Sequence, residues 1–350
     1  IDEMRSLYES KSGERGVFSR VAAQNVAARN GRRESDWAFG TNPCSEIILR
    51  PNQFCNLSEV VVRADDTLET LKDKVRKATI LGTLQSTLTD FRYLRAVWRK
   101  NTQEEALLGV SLTGIMDHPI MSGQAESDIL AQWLQEMRDV AIETNKEWAA
   151  RLGVEQSAAI TCVKPSGTVS QLVNSASGIH PRFDHHYIRT VRADKKDPLA
   201  AYMVSKGFPV EEDVTKDSNW VFSFPVKAPE DAVVVSDVGA VEQLKLWAIY
   251  QEHWCEHKPS ITVYYTDDEF FDACSWLWKN LEEASGISFL PFSDHTYKQA
   301  PYQSVGAEEY EELLSRMPEF NWDEAAEFEA GVDSTTGSQE LACVGGACEL

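Results

Sequence analysis

The sequence predicts an α/β fold, because strand-like and helix-like segments alternate along its 350 residues. Residues 158–163 form a short apolar run, as expected for a buried strand, and 260–265 form another. Apolar residues at three-to-four spacing predict helices at 66–98 and at 127–152, the second ending before Gly153. The length suffices for one large α/β domain or two smaller ones.

The remaining segments extend this pattern. Helical periodicity recurs at 241–255 and 269–281, and the glycine-punctuated run 107–117 is typical of a buried strand. Residues 207–240 are acidic and rich in turn formers, with a short strand at 221–224. We expect them to form an insertion or a surface ribbon.

Composition excludes several classes of protein. The net charge of −21, from 55 acidic and 34 basic residues, disfavours a general nucleic-acid surface. A nucleotide substrate stays possible, because backbone N–H groups can bind phosphate without net positive charge. No apolar run approaches the roughly 18 residues that span a bilayer, and no signal segment opens the chain. Seven unevenly spread cysteines do not suggest a secreted disulfide framework, so a reducing cytoplasm is expected.

Cysteine chemistry is indicated by the stretch 41–47. Cys44 has Asn42 and Glu46 as close neighbours, and Cys55 follows beyond a short turn. A reactive hairpin would place Cys44 and Glu46 at its tip and bring Cys55 beside them. The alternative is two small buried cysteines. The polar neighbours favour a reactive site, since burying them would require partners.

A possible phosphate site follows the strand at 158–163. The sequence 164–170 is a small-residue turn rich in N–H and hydroxyl groups, ahead of a predicted helix start. This is how α/β proteins often bind phosphate. The spacing is not that of a Walker A loop, and an ordinary capped turn is an equally open interpretation.

The sequence ends in a candidate dithiol shuttle. A Gly/Ser/Thr/Asp stretch at 331–339, expected to be flexible, precedes Cys343 and Cys348. Two thiols on such a tether can form a disulfide and move between sites. Half of a zinc site is the alternative, although the usual two-residue spacer is missing.

Histidines offer two further interpretations. His180, His185 and His186 invite a metal site, but no additional ligand set is evident, so polar loop histidines are favoured. A Cys-His hydrolase would need His180 or His295 beside Cys44, and it would leave the terminal dithiol unexplained. The combined features favour a cysteine redox enzyme that acts on a phosphorylated substrate.

Four separated motifs carry a resemblance to a known family. They are Asn-Pro-Cys-Ser-Glu at 42–46 with Cys-Asn-Leu at 55–57, Pro-Ser-Gly-Thr at 165–168, Ala-Ser-Gly-Ile-His-Pro-Arg at 176–182 and Cys-Val-Gly-Gly-Ala-Cys at 343–348. In this order they resemble the catalytic subunit of ribonucleotide reductase. The spacing of the first two cysteines and the run 294–303 are similar to its adenosylcobalamin-dependent (class II) branch.

The resemblance implies roles for the first motif. Cys44 would form the thiyl radical that takes the 3′ hydrogen of a ribonucleotide. Glu46 would be the base at the 3′ hydroxyl, and Asn42 would hydrogen-bond the ribose. Cys55 would supply one of the two thiols that reduce the 2′ carbon.

It implies roles for the later motifs as well. Cys343 and Cys348 would regenerate the reducing pair with electrons from a thioredoxin-like reductant. The loop formed by Pro165, Ser166, Gly167 and Thr168 would hold the phosphates of the substrate, expected to be a ribonucleoside triphosphate.

The implied fold is the C-terminal half of a ten-stranded α/β barrel, with a central finger loop carrying the radical cysteine. Residues 1–305 would form the partial catalytic barrel, 306–330 an acidic helical segment and 331–350 a redox tail. The second reducing cysteine of the family lies upstream of the finger loop. We therefore expect an N-terminal half, in the same chain or a separate one, without which this chain is inactive.

Adenosylcobalamin is the cofactor that the resemblance implies. No Asp-x-His-x-x-Gly cobalamin motif occurs, in agreement with the class II branch. Tyr264 and Tyr265 leave a diiron-dependent class I enzyme acting on diphosphates as the alternative. A structural zinc module built from all four cysteines at 44, 55, 343 and 348 is the non-enzymatic alternative.

Overall fold

The computed structural model describes residues 2–10, 16–124, 127–292, 298–331, 335, 343–344 and 347–348. The chain is α/β and divides into two compact units. Unit 1 comprises Ile1–Arg182 and Asp231–Phe292, and unit 2 comprises Phe183–Glu230 and Ser293–Glu349.

The α-helices in the described part of the chain are α1 (Asp2–Ser10), α2 (Arg20–Arg29), α3 (Leu68–Gln85), α4 (Ala96–Glu105), α5 (Ser127–Leu152), α6 (Val169–Leu172), α7 (Pro198–Lys206), α8 (Ala240–His253), α9 (Phe270–Lys279), α10 (Ala307–Ser315) and α11 (Trp322–Glu329). The strands are β1 (Gly16–Val17), β2 (Gly40–Thr41), β3 (Ile48–Leu49), β4 (Asn56–Val61), β5 (Leu108–Thr113), β6 (His186–Asp194), β7 (Val210–Glu212), β8 (Asn219–Lys227), β9 (Ile261–Tyr265), β10 (Ile287–Pro291), β11 (Tyr302–Ser304), β12 (Cys343–Val344) and β13 (Ala347–Cys348).

Unit 1 is built on strand segments that run parallel in chain order. β4 pairs with β5, and β9 pairs with β10, both in parallel. The segment 158–163 lies between these pairs: Thr161 bridges to β5 and Val163 bridges to Pro259, again in parallel. All six residues of 158–163 are buried, so the burial expected there is confirmed, but the segment pairs through isolated β-bridges and does not form a continuous strand.

Helices cover these strands and complete the core of unit 1. α3 and α4 connect β4 to β5, α5 follows β5, and α9 connects β9 to β10. The facing residues of α3 and α5 are apolar and buried, among them Leu71, Val75, Leu130, Leu134 and Met137. α5 has the predicted bounds, and it is followed by Gly153 in a left-handed conformation at φ 70°, the usual way in which glycine ends a helix.

The single helix predicted at 66–98 is wrong. α3 ends at Gln85, and α4 begins only at Ala96. The Ser86 and Thr87 hydroxyls donate to the carbonyls of Thr83 and Leu84, which satisfies backbone groups at the end of α3 and favours termination.

Unit 2 contains a four-stranded antiparallel sheet in the order β11-β6-β8-β7. The strand predicted at 221–224 is the middle of β8, which pairs with β6 along nine residues. The boundaries of unit 2 differ from the expected ones at 207, 240 and 305. Its sheet includes β6 and β11, and both strands lie outside the expected insertion at 207–240. Its apolar core includes Ala200, Phe208 and Phe222.

Among the described residues, no helix is both long and apolar enough to cross a membrane.

Candidate active site

The loop that carries Cys44 is a tight hairpin. β2 and β3 pair antiparallel, with Thr41 opposite Ile48, and Cys44 is exposed between them. The Asn42 side-chain oxygen accepts a hydrogen bond from the Ile47 backbone N–H at 3.0 Å. Ser45 adopts φ 65°, so the chain reverses direction immediately after the thiol. The sequence therefore gives a rigid loop with its cysteine accessible.

Glu46, two residues after Cys44, is buried. Its side chain is fully buried, and neither carboxylate oxygen has a hydrogen-bond partner among the described residues. Cys55 is only partly exposed and its thiol is enclosed, so burial raises the pKa of the thiol, and the Glu46 charge raises it further. The same two effects raise the pKa of the buried Cys162 thiol. The hairpin thus presents one thiol to solvent while its carboxylate lies near Cys55.

Lys164 connects this hairpin to the predicted phosphate loop. Its ammonium nitrogen lies 3.8 Å from Cys44 Sγ. Its backbone N–H donates to the Ser111 hydroxyl at 2.9 Å, which fixes the start of the loop at the end of the strand 158–163. The structure therefore brings together two motifs that are far apart in sequence.

The loop 165–168 is half buried and half open. Pro165 and Ser166 are buried, whereas Thr168 is exposed and Gly167 is partly exposed. Among the described hydrogen bonds, none uses the backbone N–H of Gly167 or Thr168. The short α6 begins directly after Thr168. The open half of the loop therefore offers N–H and hydroxyl donors of the kind that bind oxyanions.

A carboxylate occupies the buried half of this loop. Glu59 of β4 accepts hydrogen bonds from the Ser166 and Ser111 hydroxyls. Burial raises its pKa, although the Ser166 hydrogen bond and the Lys164 charge act in the opposite direction. The Ser166 hydroxyl is therefore engaged with Glu59, whereas the backbone N–H groups of Gly167 and Thr168 make none of the described hydrogen bonds.

The Ala-Ser-Gly-Ile-His-Pro-Arg motif supports the loop from behind. A Cβ on Gly178, which has φ 54°, would lie 2.2 Å from the Lys164 carbonyl oxygen, so only glycine fits. The Arg182 guanidinium forms a buried bidentate ion pair with Asp117 at 2.8 Å. This pair anchors the end of the motif, and it places the motif in a supporting role next to the loop.

The predicted histidine and cysteine groups have different outcomes. His180 is buried, and both its ring nitrogens bond to backbone atoms, those of Ser177 and Thr262. No group of potential metal ligands occurs in the part of the chain that the structure describes. The backbone of Cys343 pairs opposite Cys348 in β12 and β13, but the side chains of both lie outside the described residues, as does His295.

Sequence reasoning missed Lys164, Lys258 and Glu59. Lys258 is fully buried below the hairpin, and burial lowers its pKa to about 7. Both lysines precede a proline next to a buried strand: Lys164 follows the segment 158–163, and Lys258 comes before β9. Glu59 is the charged residue within β4. A charged residue at such a position was the available signal, but only the fold shows what it faces.

Comparisons with known proteins test the family resemblance that the motifs carry. No protein-family profile matches the chain. It is 28% identical over 316 residues to the adenosylcobalamin-dependent ribonucleoside-triphosphate reductase of Euglena gracilis, covering 88% of this chain and 42% of that protein. It is 27% identical over 378 residues to the protein of the same name from Levilactobacillus brevis, covering 97% and 49%.

Solved structures show the same relationship at the level of the fold. A B12-dependent (class II) ribonucleotide reductase superposes with a TM-score of 0.77 at 22% identity, over 94% of this chain and 49% of that one. The class Id ribonucleotide reductase alpha subunit of Actinobacillus ureae gives 0.54 at 12% identity, over 81% and 59%. The chain spans about half the length of the curated relatives it matches. The resemblance carried by the motifs is therefore confirmed, and the chain is related to the proteins named adenosylcobalamin-dependent ribonucleoside-triphosphate reductase.

Proposed function

We propose that this chain carries the radical site of an enzyme that reduces ribonucleoside triphosphates to 2′-deoxyribonucleotides, with adenosylcobalamin as its cofactor. The observation that carries the proposal is the position of Lys164, which joins the exposed Cys44 thiol to the loop 165–168. A substrate whose phosphates contact Gly167 and Thr168 would thus have its ribose near a thiol.

The hairpin supplies the groups for the first step. The exposed Cys44 is accessible both to a radical source and to the ribose, and as a thiyl radical it would take the 3′ hydrogen. Asn42 uses its side-chain oxygen within the loop, while its amide nitrogen makes none of the described hydrogen bonds. That nitrogen can donate to a ribose hydroxyl. Glu46 would accept the proton of the 3′ hydroxyl as general base.

Cys55 would act in the reductive step. Its raised pKa keeps it a thiol at neutral pH, the form that can deliver hydrogen to the 2′ carbon. Reduction by two thiols leaves a disulfide, which Cys343 and Cys348 would reduce by exchange. A thioredoxin-like protein would in turn reduce the tail, in a cytoplasmic setting.

For the adenosyl end of the cofactor we assign one cavity among the described residues. A cavity of about 390 Å³ lies at the carboxyl end of β9, lined by Ser236, Asp237, Tyr264 and Thr266 among others. It has the size of a nucleoside site, not of a whole corrin. These residues would hold the adenosyl end. When bound, the cofactor supplies the one-electron oxidation of the Cys44 thiol.

The fold supports a finer architectural proposal. Five parallel strand segments in chain order (β4, β5, 158–163, β9 and β10) are what half of a ten-stranded α/β barrel would contain, with the hairpin as its finger loop. The other half, including the second reducing cysteine, would come from the rest of the protein. The chain alone would therefore be inactive. The catalytic part would lie within 1–305, with 331–350 as the redox tail.

The test is anaerobic ribonucleotide reduction by the full-length protein with adenosylcobalamin and a dithiol. Cys44→Ser should abolish product, whereas Cys274→Ser, a matched change of a half-buried cysteine on α9, should not. Product formation that needs a diiron partner and not cobalamin would favour the class I alternative with Tyr264 and Tyr265. Stoichiometric zinc released by a thiol reagent, without turnover, would favour the zinc module.

A further inference from the structure

Two buried groups of opposite charge lie at the hairpin: Glu46 belongs to its loop, and Lys258 contacts it from another segment. The ammonium nitrogen of Lys258 lies 3.2 Å from the Ser45 hydroxyl oxygen and 3.4 Å from those of Thr41 and Ser285. The carboxylate of Glu46 is equally buried and has no hydrogen-bond partner among the described residues. Lys258 therefore ties both limbs of the hairpin to the segment before β10.

The two residues are also joined through their backbones. The Lys258 N–H donates to the Glu46 carbonyl at 3.1 Å, and the Val163 N–H donates to the Lys258 carbonyl at 3.1 Å. His257 extends the anchor, since its Nδ1 accepts from the Ile48 N–H at 3.3 Å. Both sides of the hairpin are thus fixed by one dipeptide that leads into β9.

The charge of Glu46 acts on several groups, and Lys258 is the cation among them. The Glu46 charge raises the pKa of Cys55, of Cys162 and of Glu59, where burial is the larger effect and acts in the same direction. It also raises the pKa of Lys258, where burial is larger and lowers the pKa. For the thiols and Glu59 the interaction is repulsive. A buried carboxylate without any countercharge is far more costly than a buried pair.

We propose that Lys258 is a positioning residue that fixes the loop bearing Cys44 and Glu46 and provides the buried countercharge of the Glu46 carboxylate. Three hydroxyl groups and the face of the Phe18 ring, whose centroid lies 4.6 Å from the ammonium nitrogen, replace the water that the cation loses. The consequence for turnover rests on the proposed function, whereas the electrostatic coupling does not.

The coupling is tested by a double-mutant cycle on the full-length protein. Lys258→Met keeps the length of the side chain and removes its charge, and Glu46→Gln removes the carboxylate charge. If the charges compensate each other, each single variant leaves the remaining charge buried without a countercharge. The double variant should then lose less melting temperature than the sum of the single variants, by at least about 2 °C. The control pair Lys258→Met with Glu104→Gln, an exposed carboxylate that binds Arg50, should be additive.

The pH dependence of the cycle separates charge from packing. The charge that acts on Lys258 is that of Glu46. His257, on the same segment, has a pKa that burial lowers well below its usual range, with a smaller effect from the Arg33 charge, so it stays neutral at both pH values. The coupling should be stronger at pH 6, where Lys258 is protonated, than at pH 9. Additive losses at pH 6, or the same coupling at both values, would overturn the proposal.

Turnover gives an independent measurement once reductase activity is established. Lys258→Met should lower kcat at least about tenfold with little change in KM, because the loop and not substrate binding is altered. A change in KM alone would contradict the positioning role. If the reductase assay fails, the double-mutant cycle on stability still decides whether Lys258 and Glu46 are electrostatically coupled.

Discussion

The ammonium of Lys164 lies 3.8 Å from the sulfur of Cys44, and the two residues belong to motifs separated by more than a third of the chain. A positive charge next to the sulfur attracts an anionic reagent. Lys164→Met should therefore slow alkylation of Cys44 by the anion iodoacetate at pH 7.5, by about three- to tenfold, and should slow alkylation by neutral iodoacetamide less. Peptide mapping by mass spectrometry would report this cysteine separately from the others. Lys245→Met, on an exposed position of α8, is the matched control, and an equal effect in both variants would contradict the local role.

The carboxylate of Glu59 shares the loop that we assign to phosphate. When ionised it would repel a bound phosphate, and burial raises its pKa from the usual value so that the neutral form persists to higher pH. At pH 8 we expect Glu59→Gln to bind a ribonucleoside triphosphate about three- to tenfold more tightly than the wild type, as for the loss of one nearby like charge. Titration calorimetry at pH 5 and pH 8 would measure this. The gain should shrink at pH 5, and an equal gain at both values would point to a cause other than charge.

Gly178 should be intolerant of a side chain. In Gly178→Ala the new Cβ would meet the Lys164 carbonyl oxygen at 2.2 Å in a left-handed conformation. We expect a loss of about 2–4 kcal/mol in the free energy of unfolding, measured by urea denaturation. Gly153→Ala is the control, because it has φ 70° and open space around it, so that only about 1 kcal/mol should be lost. Equal losses in the two variants would show that the left-handed backbone conformation, and not the contact with the Lys164 carbonyl, causes the loss of stability.

His180 should make stability depend on pH. Burial lowers its pKa to about 4, against about 6.5 in an unfolded chain. Between these values the unfolded state binds more protons, so stability rises as pH rises from 4 to 6.5 and is lost as pH falls. The full contribution is about 3 kcal/mol. His180→Gln should flatten this part of the curve, measured by urea unfolding at several pH values, whereas the exposed His185→Gln should leave it unchanged.

Sequence signals predicted the bounds of those helices whose ends are set by neighbouring residues in the chain. α5 has the expected bounds because its apolar periodicity and its terminal glycine agree. The continuous helix at 66–98 was wrong because the apolar residues after Gln85 keep a helical spacing but lie between α3 and α4 and pack against another segment. Phe91 belongs to a turn and packs against Phe54 with ring centroids 5.0 Å apart. The sequence pattern did not show that Phe54 would be there.

The candidate site was predictable where a motif is contiguous and not where the fold assembles it. The hairpin around Cys44 and the turn at 165–168 could be found from residue types. Lys258, Glu59 and Lys164 act across strands that meet only in the folded protein, so their partners could not be derived from spacing. Charged residues next to buried strands are the feature to examine in similar sequences.

The bridge between Val163 and Pro259 has a consequence for biosynthesis. Everything from residue 164 to 258 must leave the ribosome before the strand segment 158–163 can gain its second neighbour. At about 5–20 residues per second, the apolar edge of 158–163 stays uncovered for several seconds or more. During that interval the nascent chain exposes an unpaired strand edge, the type of surface on which chains aggregate. Synthesis at low temperature, or with chaperones that bind nascent apolar segments, should therefore raise the yield of folded protein.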